Sequence, residues 1–364
     1  MTPITPKPSA PPVPTQNTTL PPKPAVTVTG GVRVEAAPEK VVEKISTANT
    51  VMIYGESRTR KTTQLGLLAE YFYELYGGVI RLITAEEAAG IEPILPYIEA
   101  GLIEYIPLNE SVADPISLMQ ALAQGAWYPL VPTPKGQKLT PKERNGLTEG
   151  KVSAYFIEGA TTISDRILRY LGTSQRKLQQ EVAAAFTIES MIEGVSEPEK
   201  FGSPGQSHFG YVQTFVTGLF PKFSMLPVRE VVWTAHEGRG EDQNTKMQIF
   251  GPGLAGKAAT SKVPALVGDL FHCQTVIENG KESVKAWIRK HPDDQVSTVL
   301  WPAGPRSTSD IAPKLLTRWP EGCIDLSTSS VVDYFKYKRE LKTATTDRLR
   351  ALKEKVDANR NAKD

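Results

Sequence analysis

The segment Val51–Thr63 reads VMIYGESRTRKTT and decides the fold. Its apolar start, Val51–Tyr54, predicts a short buried strand, and the helical spacing of apolar residues after it predicts a helix over 62–76. Between the two, Gly55, Lys61 and Thr62 have the spacing of a phosphate-binding loop. In such a loop backbone N–H groups surround the phosphates, the lysine meets the β/γ charge and the hydroxyl meets Mg²⁺. This order of strand, loop and helix predicts a nucleotide-binding domain.

Arg60 departs from the usual pattern of such a loop, which has its second glycine at that position. A left-handed residue other than glycine costs about 1–2 kcal/mol, so we expect Arg60 to strain the loop or crowd the phosphates. The alternative is a loop that no longer binds nucleotide, but such a loop has little reason to keep its lysine and hydroxyls in register. We predict that ATP contacts the whole loop, which consists of Gly55, Glu56, Ser57, Arg58, Thr59, Arg60, Lys61, Thr62 and Thr63.

A second glycine-rich loop competes with the first. Residues 251–257 read GPGLAGK, with two glycines and Lys257 at the spacing of a phosphate-binding loop. However, Ala258 stands where the hydroxyl for Mg²⁺ belongs, and the loop follows four or five predicted strands rather than the first one. We therefore expect a mobile loop near the nucleotide, with a structural turn as the alternative.

Polar groups follow three more apolar runs that predict strands. Strand 152–157 ends in Glu158, strand 79–84 is followed by Glu86 and Glu87, and strand 231–234 is followed by His236. Ligands of open α/β sheets bind at the carboxyl ends of strands, so we expect these groups on one rim. Glu158 is placed to hold Mg²⁺ together with Thr62. Glu86 or Glu87 is placed to orient an attacking water, and His236 to sense the γ-phosphate.

The rest of the body alternates between predicted strands and helices. Asp114-Pro115 is typical of a helix start, and Asn279-Gly280 between two apolar runs predicts a hairpin. Loops are predicted at 126–150 and at 193–207. The pattern favours a mainly parallel α/β sheet flanked by helices, with an antiparallel hairpin extension.

The N-terminal segment 1–44 has a different composition. Ten of the 29 prolines fall within the first 38 residues, and the first 30 residues have only two charged side chains. Such a segment cannot bury enough apolar surface to offset its ordering entropy, so we predict a disordered tail. It is either a tether or docking ligand, or a spacer without a specific partner.

The C-terminal segment 331–364 predicts a basic helix, joined to the body by a linker at 307–330. It carries ten Lys or Arg and six Asp or Glu, so the rest of the chain has a net charge of −2 (32 against 34). Its apolar positions form a narrow stripe. The helix either contacts nucleic acid or another subunit, or is a solvated helix that packs along one seam.

Several classes of protein do not fit the composition. Two cysteines cannot form a disulfide framework, and the four histidines do not have the spacing of zinc ligands. No run of 18 apolar residues is present, and the N-terminus does not have the pattern of a secretory signal. We therefore expect a cytoplasmic protein with no membrane contact.

The chain resembles the RecA-like P-loop ATPases encoded by phages near recombination and single-strand annealing genes. The resemblance covers residues 48–306 and is carried by several runs in a fixed order: IYGESRTRKTTQ, TAEE, AYFIEGATTISD, SHFGYVQ, VVWTAHE, GPGLAGKA and HPDD followed by WPAGPR.

This resemblance implies a RecA-like core, taken as 45–306, that binds ATP and Mg²⁺ between the subunits of a homo-oligomer in the host cytoplasm. Glu86 or Glu87 would activate water, while Lys257 and Arg306 would reach the γ-phosphate of a neighbouring subunit. Glu158 stands where the family usually has aspartate, and Ala303-Gly304-Pro305 precedes Arg306 where a basic residue is common. Implied partners are single-stranded DNA and a single-strand annealing or binding protein.

The leading hypothesis is an ATPase that acts in phage DNA recombination, repair or replication. Two alternatives stay open: a non-catalytic interaction protein on the same scaffold, and a packaging or virion-associated ATPase. DNA binding would need local basic patches, because the body of the chain is slightly acidic.

Overall fold

The computed structural model describes residues 48–109, 112–127, 152–185, 206–241, 248–255, 257–278, 280–288 and 311–361. Several predictions fall outside these residues: the tail 1–44, nearly all of the loops at 126–150 and 193–207, and Arg306. Within the described residues, none of the helices is long and apolar enough to cross a membrane.

In the described part of the chain, nine strands form one sheet. They are β1 (Asn49–Gly55), β2 (Val79–Thr84), β3 (Ile103–Pro107), β4 (Val152–Glu158), β5 (Glu230–Glu241), β6 (Gln248–Pro252), β7 (Asp269–Glu278), β8 (Lys281–Trp287) and β9 (Cys323–Asp325). Their order is β3-β2-β4-β5-β1-β7-β8-β9, and β6 pairs with β5 outside this path. The six strands from β3 to β7 along this order run parallel. The pairs β5–β6, β7–β8 and β8–β9 are antiparallel.

Helices cover both faces of the sheet. They are α1 (Lys61–Tyr76), α2 (Ala88–Ile91), α3 (Leu95–Glu99), α4 (Pro115–Leu122), α5 (Ala160–Ala185), α6 (Gln206–Ser224), α7 (Lys257–Lys262), α8 (Ile311–Arg318) and α9 (Val331–Asn361). Short 3₁₀ turns lie at Glu92–Ile94 and Val263–Leu266. The predicted start of α4 is confirmed, because Asp114 accepts hydrogen bonds from the backbone N–H groups of Ile116 and Ser117, both at 3.0 Å.

The core has two halves, one on each face. All seven residues of β4 are buried, as expected for a central parallel strand covered on both sides. On one face Met52 and Tyr54 of β1 pack with α4, α5 and α6. On the other face Val51 and Ile53 pack with α1, α8 and the first turns of α9.

The predicted fold class is confirmed. The central sheet is mainly parallel, β7 and β8 form the predicted hairpin, and the phosphate-type loop joins the central strand β1 to α1. In this strand order β1 lies between β5 and β7.

The predicted linker at 307–330 is wrong for its described part. Residues 311–318 form α8, and residues 323–325 form β9, which extends the sheet beyond β8. Ile324 and Leu326 are buried in the same cluster as Phe271. Apolar side chains at these positions pack on the edge of the hairpin, so the domain continues past the predicted boundary at 306.

The C-terminal helix is confirmed as a helix but has two unlike parts. Its first turns belong to the core: Tyr334 and Phe335 are almost fully buried, and the ring of Phe335 lies edge-on to that of Phe72, with centroids 5.6 Å apart. Lys338 forms a buried ion pair with Asp269 at the start of β7. Further along the helix, the predicted apolar stripe opens to solvent, with Leu349 and Leu352 at least half exposed.

Replacing Phe335 by alanine is expected to lower the free energy of unfolding by about 3–5 kcal/mol, because a buried aromatic ring leaves a cavity in the α1–α9 packing. Leu352→Ala, on the exposed half of the same helix, is the matched control and should change stability by at most about 0.5 kcal/mol. Urea unfolding of both variants measures the two values. Equal effects would contradict the division of α9 into a core part and a solvated part.

Candidate functional site

The loop at 55–60 begins at Gly55, which pairs with Cys273 of β7. A Cβ atom added to Gly55 would lie 1.9 Å from the carbonyl oxygen of Cys273 in the neighbouring strand. Any larger residue would push the two strands apart, so the chain can turn out of the sheet here only with glycine. The turn places the N-terminus of the 16-residue helix α1 above the carboxyl end of the sheet. Free N–H groups at such a helix end favour an anion.

Lys61 is held at the centre of the loop. Its ammonium donates to the carbonyl oxygens of Gly55 (3.0 Å) and Glu56 (2.5 Å) and lies 3.4 Å from the hydroxyl of Thr59. Burial lowers the pKa of Lys61, while nearby carboxylates, Glu86 and Glu158 among them, oppose that shift. Lys61 therefore has acidic neighbours, and a phosphate could accept the hydrogen bonds that it donates to the loop carbonyls.

The strain predicted at Arg60 is present. Arg58 and Arg60 both have left-handed backbone angles, with φ of 64° and 60°. The predicted crowding is not the outcome for the Arg60 side chain, because its guanidinium donates to the carbonyl oxygen of Leu326, 2.7 Å away in the C-terminal part of the domain. The chain thus accepts about 1–2 kcal/mol of backbone strain and uses the side chain as a long-range contact.

One cavity of about 350 Å³ brings the loop and three strand ends together. Its walls include loop residues 57–63, Glu86 after β2, Glu158 at the end of β4, and residues 234–236 of β5. Glu87 is exposed and precedes α2, and it is not among the described residues that line the cavity. Of the two predicted carboxylates that follow β2, the geometry therefore favours Glu86. Lys257 is the first residue of α7, and its side chain lies outside the described part of the structure.

Glu158 is a buried carboxylate beside the loop. Its side chain is almost fully buried, and its oxygens make no hydrogen bond of normal geometry to the described residues, although the hydroxyls of Thr62 and Thr84 lie near them. Burial, together with the negative charge of Glu86, raises its pKa to about 7. The hydroxyls of Thr62 and Thr84 and the charge of Lys61 oppose that shift. A buried carboxylate without partners is costly unless a cation or proton satisfies it.

Glu86 is positioned by the start of α5. The hydroxyl of Thr162 donates to one of its oxygens at 3.0 Å. Gly159, just before the helix, makes room for it, since a Cβ atom there would lie 2.4 Å from the same oxygen. The carboxylate therefore has a defined position at the cavity wall.

His236 lies on β5 at the register position of Gly55. Its backbone N–H donates to the hydroxyl of Thr161 at 2.9 Å, and its carbonyl accepts from the N–H of Gly253 at 2.7 Å. Burial and the charge of Lys61 lower the pKa of the imidazole, against the opposing charges of Glu86 and Asp165, which favours the neutral form of the ring. The contact with Gly253 places the described part of the second glycine-rich loop next to His236.

The residues present fit a magnesium ion held together with a phosphate. Among the described residues, three or more His, Cys, Asp or Glu side chains do not cluster as a complete metal site. Glu158 and the hydroxyl of Thr62 instead offer a small oxygen set, which suits Mg²⁺ because this ion usually completes its shell with phosphate and water. The unpartnered oxygens of Glu158 are the observation that supports this fit.

Sequence reasoning missed the threonines that hold the site together. Thr161 contacts His236 and Gly253, Thr162 contacts Glu86, and Thr234 accepts the N–H of Gly159 at 2.9 Å. The signal was present, since hydroxyl residues directly follow or end the predicted strands. Their partners could not be read from the sequence, because each lies 75 or more positions away.

Comparisons with known proteins find similar chains among solved structures. No family model matches the sequence, and no curated protein matches it. Among solved structures, the flagellar accessory protein FlaH from Methanocaldococcus jannaschii is 8% identical over 70% of this chain and 85% of its own, with a TM-score of 0.35. A KaiC-like protein from Pyrococcus horikoshii is 13% identical over 77% of this chain and 89% of its own, with a TM-score of 0.34. Likenesses at this level carry no functional inference.

Proposed function

We propose that this chain is an ATPase that binds ATP with Mg²⁺ at loop 55–63 and hydrolyses the bond to the γ-phosphate. The observation that carries the proposal is the buried carboxylate of Glu158, whose oxygens make no hydrogen bond of normal geometry to the described residues and which shares one cavity with Lys61 and Thr62. A cation-seeking carboxylate beside a phosphate-type loop is the arrangement that a nucleotide with its metal ion would satisfy.

Loop 55–63 would bind the phosphates through its backbone and through Lys61. The N–H groups at the start of α1 point toward the anion, and the helix dipole favours negative charge there. The ammonium of Lys61 would exchange its contacts with the carbonyls of Gly55 and Glu56 for phosphate oxygens. Its charge then lies beside the group that becomes more negative as the γ-phosphate departs.

Thr62 and Glu158 would hold Mg²⁺, the hydroxyl directly and the carboxylate directly or through water. When bound, the ion supplies neutralisation of the phosphate charge. Glu158 must be ionised for this role, and its raised pKa of about 7 means that ionisation is incomplete near neutral pH in the ligand-free protein.

Glu86 is the group best placed to take the proton of the attacking water. The water oxygen forms a bond to the γ-phosphorus, the bond from that phosphorus to the β–γ bridging oxygen breaks, and the water proton passes to the carboxylate. ADP and inorganic phosphate are the products. The neutral ring of His236, on the same cavity wall, can form a hydrogen bond with the γ-phosphate and distinguish ATP from ADP.

The process proposed for this activity is phage DNA recombination, repair or replication, in a homo-oligomer with nucleotide between its subunits. Support comes from the resemblance of the sequence runs at 48–306 to that family of ATPases. Lys257 and Arg306 are the candidate residues that reach a neighbouring subunit's nucleotide. Single-stranded DNA and a single-strand annealing or binding protein are the proposed partners.

Phosphate release from ATP, measured with and without single-stranded DNA and with and without Mg²⁺, tests this proposal. We expect Mg²⁺-dependent turnover that single-stranded DNA increases. Release no faster than in buffer under all conditions would refute the ATPase. Turnover without any effect of DNA would retain the ATPase and remove the proposed link to DNA.

Replacing Glu158 by glutamine is expected to stabilise the ligand-free protein at high pH. The same change should weaken the stabilisation that Mg²⁺ gives to the ATP-bound protein. The folded-state pKa of about 7 lies above the ordinary 4.5, so the folded protein binds a proton that the unfolded chain releases, and wild-type stability falls as pH rises between these values. The glutamine variant avoids this loss, which is about 3 kcal/mol at about 1.4 kcal/mol per pKa unit.

Urea unfolding without Mg²⁺ at pH 5 and pH 8 checks this expectation, with Glu158→Gln gaining on wild type at the higher pH. The same variant should lose most of the additional stabilisation that Mg²⁺ gives to the ATP-bound protein. A stability difference that is the same at both pH values would show that Glu158 does not titrate as its burial requires.

A further inference from the structure

Arg60 connects the nucleotide loop to the far end of the chain. Its guanidinium donates to the carbonyl oxygen of Leu326, which is 266 positions away in sequence. Leu326 is 4% exposed, and its own N–H donates to the carbonyl of Val284 in β8 at 2.7 Å. The carbonyl oxygen of Leu326 is therefore held in place by the sheet. Its contact with Arg60 supports the left-handed backbone of the loop from outside the loop.

Gln64 makes a second connection one helical turn later. Its side-chain oxygen accepts the backbone N–H of Val331, the first residue of α9, at 2.9 Å in a buried position. The backbone N–H of Gln64 also donates to the carbonyl oxygen of Arg60 at 3.0 Å, which joins the two residues across the start of α1. The two contacts thus join the first turn of α1 to both ends of the segment 326–331 that leads into the C-terminal helix.

The left-handed conformation of the loop and the contact with Leu326 both depend on Arg60. The left-handed backbone of Arg60 is unfavourable by itself, so it persists because neighbouring structure holds it. Lys61, the next residue, binds two carbonyls of the loop, and phosphate must displace these contacts. Phosphate binding at the loop and the packing of segment 326–331 therefore both affect the left-handed backbone at Arg60.

We propose that Arg60 is a positioning residue that couples nucleotide binding at loop 55–63 to the anchoring of α9. This inference rests on the proposed function, because it requires ATP to bind at this loop. Nucleotide that fixes the loop stabilises the contact with Leu326 and hence the start of α9. By reciprocity, loss of that contact weakens nucleotide binding by the same factor.

Hydrogen exchange of the full chain measures the coupling directly. In wild type, Mg²⁺–ATP should slow the exchange of backbone amides in 326–335 by about 5-fold to 10-fold. In Arg60→Ala, the same amides should exchange faster without nucleotide, and saturating Mg²⁺–ATP should change them by less than about 2-fold. The dissociation constant for Mg²⁺–ATP, from calorimetry on the same samples, should rise about 10-fold, the effect of a lost hydrogen bond to a charged donor.

Two further variants separate positioning from loss of charge or fold. Arg58→Ala removes an equal charge from the same loop, and it should leave the exchange of 326–335 as in wild type even if it weakens ATP binding. Arg60→Lys can still donate to Leu326 and should restore at least part of the nucleotide-dependent protection. Arg60→Gly removes the backbone strain and should show the same hydrogen exchange at 326–335 as Arg60→Ala. That agreement would exclude strain-induced misfolding as the cause of the faster exchange.

Three results would overturn the proposal. The first is Arg60→Ala with wild-type protection of 326–335 by nucleotide, and the second is Arg58→Ala with the same loss as Arg60→Ala. The third is wild type that binds Mg²⁺–ATP in calorimetry without any change in exchange at 326–335. If wild type does not bind Mg²⁺–ATP at all, the proposed function fails together with the coupling, and calorimetry identifies that case before exchange is compared.

Discussion

Replacing Lys61 by alanine is expected to lower the rate of ATP hydrolysis about 10²-fold to 10³-fold, the usual effect of removing one preorganised group that stabilises transition-state charge. The ammonium lies inside the loop, bound to the carbonyls of Gly55 and Glu56, and its neighbours include the carboxylates Glu86 and Glu158. Without it, the phosphates would face these carboxylates with less compensating charge. We therefore expect weaker ATP binding as well as slower turnover, both measured by steady-state phosphate release over a range of ATP concentrations.

Lys222→Ala is the control for this experiment, because Lys222 is an exposed lysine near the end of α6. It should hydrolyse ATP as wild type does. An unchanged rate in Lys61→Ala would mean that turnover, if any is seen, comes from another site or from a contaminating enzyme. The competing loop at 251–257 would then become the candidate to test next.

Replacing Glu86 by glutamine is expected to separate binding from chemistry. The glutamine keeps the shape beside Gly159 and the contact with the hydroxyl of Thr162, but it cannot accept the proton of the attacking water. Loss of a general base lowers rates by about 10²-fold to 10⁴-fold. We expect hydrolysis to fall within that range while the dissociation constant for Mg²⁺–ATP changes by less than about 3-fold, because the phosphate contacts at the loop are retained.

Glu87→Gln is the matched control, since the two glutamates are adjacent and Glu87 is exposed outside the cavity lining. It should retain nearly the full rate. If Glu87→Gln rather than Glu86→Gln abolished hydrolysis, the orientation of the segment after β2 would have to differ in the nucleotide-bound protein. Equally small effects of both variants on the rate of hydrolysis would contradict the assignment of Glu86 as the general base.

The parallel part of the sheet and its rim could be predicted from the sequence because their signals are local. Apolar runs such as 152–157 predict strands, and polar groups directly after them must lie at the carboxyl end of a parallel sheet. The cavity brings Lys61, Glu86, Glu158 and His236 together in agreement with that rule. The choice between Glu86 and Glu87 could not be made in this way, because it depends on the space that Gly159 leaves.

The role of the C-terminal third was missed because its contacts are distant in sequence. The predicted linker contains β9, and its pairing with β8 depends on a neighbour about 40 positions away. Arg60 was expected to strain the loop or crowd the phosphates, and its contact with Leu326 could not be foreseen because that residue is 266 positions away. Charge counts in 331–364 likewise do not show that Lys338 is buried against Asp269, since a buried ion pair and a solvated lysine look alike in composition.

Calorimetric titration of Mg²⁺–ATP into wild type and Lys61→Ala tests the central claim most directly, because the claim is that nucleotide binds at loop 55–63. We predict one saturable site per chain in wild type, weaker binding without Mg²⁺, and an affinity at least about 10-fold lower in Lys61→Ala. Absence of binding to wild type would contradict the claim, and so would equal affinities of the two proteins.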